Sequence, residues 1–215
     1  MDTNMAELHR SYQGPELRRS QLAADWLTQF LSWFETAVDS RTELEPNAMV
    51  LATASAAGAP SVRTVLCKQV DAEGFVFFTH YASRKGREIA ERAEVSLLFR
   101  WLDLSRQVIV EGSAAAIDAA ESDKYFCSRP HGSQIGALAS RQSSVLASRN
   151  ELDAEAARLR RRYPEGNSVP RPPDWGGIRV RPHSVEFWQG RPDRLHDRLR
   201  YRYDGGLWRV ERLAP

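Results

Sequence analysis

A chain of 215 residues, 42% hydrophobic and 27% charged, carries enough apolar side chain to bury a core as one domain. Its 30 basic and 28 acidic residues leave a formal charge of only +2, which excludes the overall basicity of a general nucleic-acid binder and leaves anion binding to local clusters. The two cysteines, Cys67 and Cys127, lack the spacing of a zinc or iron–sulfur site, so no metal is expected and a reducing, cytoplasmic compartment is.

Residues 1–20 read as a mobile N-terminal arm, polar and without the apolar core of a signal peptide, and no apolar run is long enough to cross a bilayer. Residues 21–215 read as a single domain. From Leu22 to Val38, Trp26, Phe30, Trp33, Phe34, Ala37 and Val38 recur at helical spacing and predict an amphipathic helix with a buried aromatic face. A β-rich block follows: a strand over 48–54, a turn at 57–60, a strand over 61–70 and another over 75–79. Arg63 and Lys68 lie an odd number of residues apart, so a regular strand would point them to opposite faces.

Ser83 predicts the N-cap of a helix to about Ala93. Arg84 and Lys85 place two cations in its first turn, against the helix dipole. A bound phosphate would resolve that conflict, and so would simple solvation. Strands over 95–101 and 107–116 complete a set whose short connections favour an antiparallel, closed or nearly closed barrel. Asp118 and Glu121 start a helix that should reach Arg129 before Pro130 stops it, with Tyr125 and Arg129 on one face. The loop His131–Ser133 then brings a hydroxyl near that face, which suits a second phosphate, or else Tyr125 and Arg129 form a plain stacking pair.

Gln142 and Ser143 can donate hydrogen bonds to a ligand. A helix capped by Ser148 with Glu151 presents Leu152, Ala156, Leu159 and Tyr163 inward and its arginines to solvent. After the proline-rich 164–173 loop, strands over 178–188, 199–203 and 207–213 close the sheet. The stretch from Val185 to Arg198 concentrates two aromatics, three arginines, a histidine and three carboxylates. Val185 and Phe187 alternate with Glu186 and Trp188 as in a strand, and Gly190 and Pro192 end it. Arg194, His196 and Arg198 follow at spacing two, which an extended backbone would send one way. Neither a Walker-type loop nor G-x-G-x-x-G occurs, so a phosphate-bearing ligand would be held by side chains and helix ends.

Taken together, Arg63 to Lys68, Ser83-Arg84-Lys85, Arg106-Gln107-Val108, Tyr125 with Arg129, Gln142-Ser143, the 185–198 stretch and the Arg-Leu-Ala-Pro terminus resemble the pyridoxine/pyridoxamine 5′-phosphate oxidase family over nearly everything from residue 20 onward. The resemblance implies a mainly β fold with flanking helices, an antiparallel, Greek-key-like FMN-binding split β-barrel that forms a homodimer with FMN at the subunit interface. It implies oxidation of pyridoxine 5′-phosphate and pyridoxamine 5′-phosphate to pyridoxal 5′-phosphate, with O2 as acceptor and H2O2 released, and no nucleic-acid or membrane partner.

It also assigns residues. Arg63, Val65, Leu66, Lys68, Phe78 and Thr79 would lie around the flavin, as would Arg84, Lys85, Gln107, Gln142, Ser143, Trp188 and Arg198. Lys68, Tyr125, Arg129 and Ser133 would hold the substrate phosphate, Leu195 would contact substrate, and Arg194 and His196 would flank the pyridine ring as the catalytic pair. The chain departs from the family pattern at Phe78, where tyrosine is common, at Arg100 before Trp101, at Ile109, and in the arm segment His9-Arg10-Ser11-Tyr12, which matches only partly. The alternatives are a related split-barrel flavin oxidase of phenazine type and a flavin- or haem-binding split-barrel protein without oxidase activity.

Overall fold

The computed structural model describes residues 11–215; His9 and Arg10 of the arm lie outside the described residues. Helix α1, Trp26–Ser40, starts where the Asp25 carboxylate accepts from Thr28 N and Thr28 Oγ1, and ends at Arg41 in the left-handed conformation. Four strands follow: β1 Ala48–Ala54, β2 Pro60–Leu66, β3 Gln69–Asp71 and β4 Gly74–His80. After α2, Arg84–Glu91, come β5 Glu94–Trp101 and β6 Arg106–Ala116. Three helices, α3 Ala119–Ser128, α4 His131–Ala139 and α5 Arg149–Arg162, precede β7 Trp175–Gln189, β8 Asp197–Asp204 and β9 Leu207–Leu213. The strand order is β2-β1-β5-β6-β7-β4-β3, with β8 pairing β7 and β9 pairing β8.

The chain separates into two compact units. One takes the described residues up to Val50, Ser96–Gly112 and Pro182–Pro215. Its core sets Trp33 edge-on to Phe187 at 5.2 Å, Phe187 against Tyr201 at 5.7 Å and Phe30 against Phe99 at 5.0 Å. Tyr201 keeps its buried hydroxyl satisfied by donating to Ala23 O at 2.7 Å. Within the stretch expected to be a mobile arm, Leu17 is buried and its N–H donates to Asp197.

The other unit, Leu51–Val95 with Ser113–Arg181, gathers α3, α4 and α5 around Phe126, Ile135, Ala137, Leu159, Val169 and Trp175. Ser122 Oγ accepts from Gly177 N, tying α3 to β7. Arg171 ties the proline-rich loop down by donating to Asp123 and to Trp175 O.

Several expected boundaries move. The strand expected over 61–70 breaks at Cys67 and Lys68, between β2 and β3. Residues 131–133, expected as a loop, open α4: Pro130 suits the start of a helix as well as the end of one, and its carbonyl accepts from Ser133 and Gln134. Strand β7 begins at Trp175 because Trp175, Gly176 and Gly177 pair with His80, Thr79 and Phe78 of β4. Val38, expected inside, is 46% exposed. Ser148 sits at the N-cap of α5 without a side-chain cap bond, and of that helix's expected stripe only Leu159 is fully buried.

Phe187 has no exposed surface and two aromatic partners. Phe187→Ala is therefore expected to lower the unfolding free energy by about 3–5 kcal/mol in urea titration. Leu207→Ala, at a side chain 67% exposed, should stay within about 0.5 kcal/mol of the parent.

Candidate active site

The second unit holds a cavity of about 660 Å³ that collects most of the basic residues singled out by sequence. Arg63, Val65, Leu66 and Lys68 reach it from β2 and the break after it, Phe78 and Thr79 from β4, and Lys85 from α2. Tyr125, Arg129, Ser133 and Gln142 line it too, as expected, and Thr64, His80, Gly136, Ala137, Ser140 and Trp175 join them unforeseen. The parity conflict between Arg63 and Lys68 disappears because the strand ends at Leu66, freeing Lys68 from strand alternation.

At the start of α2, Ser83 caps the helix by accepting from Gly86 N, and its own hydroxyl donates to His80 O at 2.6 Å. Gly86 is required there: a Cβ would stand 2.2 Å from Tyr81 O and 2.7 Å from His80 O, and both are backbone atoms. Lys85, just before it, is buried. Its ammonium donates to Gln142 Oε1 at 2.8 Å and Thr79 Oγ1 at 3.2 Å, and burial, with Arg63 nearby, pulls its pKa down to about 8. Arg84 instead donates to Glu88 Oε1, one turn along the same helix, and stays mostly exposed. The dipole conflict read from the sequence is thus relieved in part by an internal carboxylate.

The other end of the cavity is aromatic and cationic. Phe78 and Tyr125 stack at 3.8 Å with 18° between their planes, so phenylalanine at position 78 still packs. Arg129, expected on the helix face with Tyr125, is the residue just past α3 with an extended backbone, and its guanidinium lies 4.7 Å over the Trp175 ring. Its Nη1 is buried with no hydrogen-bond partner, one of two such side-chain atoms among the described residues. A buried, unpaired guanidinium N–H, in a cavity also lined by Ser133 from the first turn of α4, is a fitting receptor for a phosphate oxygen. Burial lowers the Arg129 pKa and raises that of Tyr125, which keeps the phenol protonated as a donor.

In the first unit, Trp188, His196 and Tyr12 form a ring cluster, Trp188 and His196 being 4.5 Å apart and Tyr12 edge-on to both. Gly190 makes room for it, since a Cβ there would meet Tyr12 Cδ1 at 2.8 Å. The three residues spaced by two do not share an extended backbone. Pro192–Arg194 forms a 3₁₀ turn with Asp193 and Arg194 at positive φ, while Arg198 lies on β8.

Arg198 donates to both oxygens of buried Glu186, at 2.6 and 3.0 Å, and to Ala214 O. His196 Nδ1 accepts from Arg191 N at 3.0 Å, which places the proton of the neutral ring on Nε2. Burial and then the Arg194 charge hold its pKa below the usual histidine value. Arg194 and Leu195 are exposed, and Gln107 is partly buried on β6. Ser143 stands exposed at φ 72°. Neither Arg84 nor Ser143 lines the cavity.

Lys85 gives the cavity a pH dependence. Its ammonium is lost as pH rises through about 8, so affinity for sulfate, whose charge does not change there, should fall through that range. In Lys85→Gln the dependence should vanish; isothermal titration with sulfate reads both.

Comparison with known proteins follows the same lines. Residues 35–189 match the family profile described as pyridoxamine 5′-phosphate oxidase, and residues 175–215 match the pyridoxine 5′-phosphate oxidase C-terminal dimerisation region. A pyridoxine/pyridoxamine 5′-phosphate oxidase from Streptomyces avermitilis is 53% identical over 214 residues, covering 98% of this chain and 96% of its own. One from Thermosynechococcus vestitus is 53% identical, with 99% and 100% covered.

Among solved structures, PhzG from Burkholderia lata, in complex with tetrahydrophenazine-1-carboxylic acid, superposes with a TM-score of 0.88 at 36% identity, covering 94% of this chain and 100% of that one. A pyridoxamine 5′-phosphate oxidase-related, FMN binding protein from Nostoc punctiforme shares the fold at 13% identity and a TM-score of 0.69, covering 90% and 100%. The expected fold class, an antiparallel split β-barrel with flanking helices, is the one found. With two profiles spanning residues 35–215 and relatives above half identity along nearly the whole chain, the protein belongs to the pyridoxine/pyridoxamine 5′-phosphate oxidase family.

Proposed function

We propose that the protein oxidises pyridoxine 5′-phosphate and pyridoxamine 5′-phosphate to pyridoxal 5′-phosphate with FMN as cofactor, as a cytoplasmic homodimer in vitamin B6 metabolism. The observation that carries this reading is one cavity lined by four basic residues, Arg63, Lys68, Lys85 and Arg129, the last with an unpaired buried N–H. A phosphorylated cofactor used on a phosphorylated substrate calls for several cations in one site. The family's named C-terminal dimerisation region, matched over 175–215, supports the dimer, and the FMN-binding Nostoc protein of the same fold supports the flavin.

On this reading Arg63, Lys85, Thr79 and Gln142 hold the flavin with Val65, Leu66, Lys68, Phe78, Arg84, Gln107, Ser143, Trp188 and Arg198. Lys68, Tyr125, Arg129 and Ser133 take the substrate phosphate. Bound FMN would supply the two-electron acceptor for the C4′–H bond and the route by which O2 leaves as H2O2. The chain's own share is orientation and proton placement. His196, neutral with its proton on Nε2, donates to the phenolic oxygen of the pyridine ring. Arg194 presents its guanidinium at the reacting carbon's substituent, and Leu195 packs beside it. The amine substrate then yields ammonia after water adds to the imine, and the alcohol needs no such step.

The likeness to PhzG favours a second reading, oxidation of a phenazine-type aromatic acid. The two readings separate on the bench. Purified protein should show a flavin spectrum and convert both phosphorylated substrates under air with peroxide release; a flavoprotein that ignores both would sink the first reading and leave the second. Arg194→Ala should keep its flavin and lose about 10²-fold in kcat, and unchanged turnover would remove Arg194 from the chemistry.

A further inference from the structure

Glu88 was not among the residues expected at the site, yet its carboxylate accepts hydrogen bonds from two that were, Arg63 and Arg84. It lies on α2 with a side chain only 7% exposed. Its Oε2 accepts from Thr53 Oγ1 at 2.5 Å, Ser61 Oγ at 2.6 Å and Arg63 Nη2 at 3.2 Å, while Oε1 accepts from Arg84 Nε at 2.8 Å. The same two hydroxyls accept from Arg63, Thr53 from Nη1 and Ser61 from Nη2, each at 2.5 Å. Thr53 on β1, Ser61 and Arg63 on β2 and Arg84 on α2 are thereby locked to one carboxylate. Burial pushes its pKa up, but the bonds from Ser61, Thr53, Arg84 and Arg63 outweigh that and bring it to about 2; it is charged at any working pH.

A carboxylate beside cations lowers their net attraction for an anion, so its presence needs a reason. Arginine side chains are long and lose much rotamer freedom when fixed. Two guanidiniums near the Lys85 ammonium also repel one another. Glu88 answers both difficulties: it offsets one charge and sets Arg63 and Arg84 in place before any ligand arrives.

We propose that Glu88 is the positioning residue of the flavin-phosphate cradle, fixing Arg63 and Arg84 in the orientation that receives the phosphate of FMN. The inference rests on the flavin reading above. Glu88→Gln tests it, because an amide presents an N–H2 where one carboxylate oxygen accepted and cannot take all four donors.

Fluorescence titrations of the flavin-free full chain with FMN and with riboflavin, which lacks the phosphate, separate the outcomes. Glu88→Gln should lose about tenfold in FMN affinity and keep its riboflavin affinity, so that the preference for FMN shrinks. Glu88→Asp, which keeps the charge on a shorter arm, should fall between the two and serves in its place if the glutamine variant does not fold. Equal weakening toward both flavins would make Glu88 a merely structural tie, and unchanged or tighter FMN binding would also overturn the proposal. A parent protein that binds both flavins with equal affinity overturns the proposal, and one that binds neither overturns the flavin reading itself.

Discussion

A cation taken out of water needs an acceptor or an anion, and the cavity of this protein is arranged around that requirement. Arg63 has Glu88 and two hydroxyls, and Lys85 has the Gln142 carbonyl and the Thr79 hydroxyl. Arg129 has the Trp175 ring beneath it and a buried Nη1 with nothing to bind. Those different degrees of satisfaction divide the labour. The satisfied cations form a rigid floor, and the unsatisfied N–H marks where an incoming oxygen gains most, since its desolvation is already complete.

The same logic orders the C-terminal stretch. Arg198 is held by both oxygens of Glu186, and Asp197 takes bonds from Leu17 N and Arg212 while Arg191 lies 3.6 Å away. What the stretch leaves available is the His196 Nε2 and the exposed Arg194 carried on a left-handed turn. The stretch combines a fixed scaffold with two presented groups, which is the division an oriented redox reaction needs.

Much of this was readable in the residues. Strands β1 and β9 fall on the expected boundaries, and the aromatic face of α1 is buried at Trp26, Phe30 and Trp33. The cavity joins Lys85, Tyr125, Arg129, Ser133 and Gln142, which local charge, capping and hydrogen-bonding arguments had picked out, to Arg63 and Lys68, which strand parity had set apart and only the family resemblance united. What stayed hidden depended on tertiary partners. Periodicity cannot show that the ladder breaks at Cys67 and Lys68, nor that Pro130 begins α4. Glu88 drew no attention in the sequence; only the fold brings Thr53 and Ser61, distant in sequence, onto its carboxylate. Trp175, at the edge of a proline-rich loop, gave no sign that it would lie under Arg129.

On the proposed reading, Arg129 with its unpaired buried N–H receives a substrate phosphate distinct from that of FMN. Calorimetric titration of the FMN-loaded protein with pyridoxal 5′-phosphate and with unphosphorylated pyridoxal tests it directly. The phosphorylated compound should bind tightly, with a loss of about 2 kcal/mol or more without the phosphate and the same loss in Arg129→Ala with FMN retained. Equal affinity for the two compounds would contradict it.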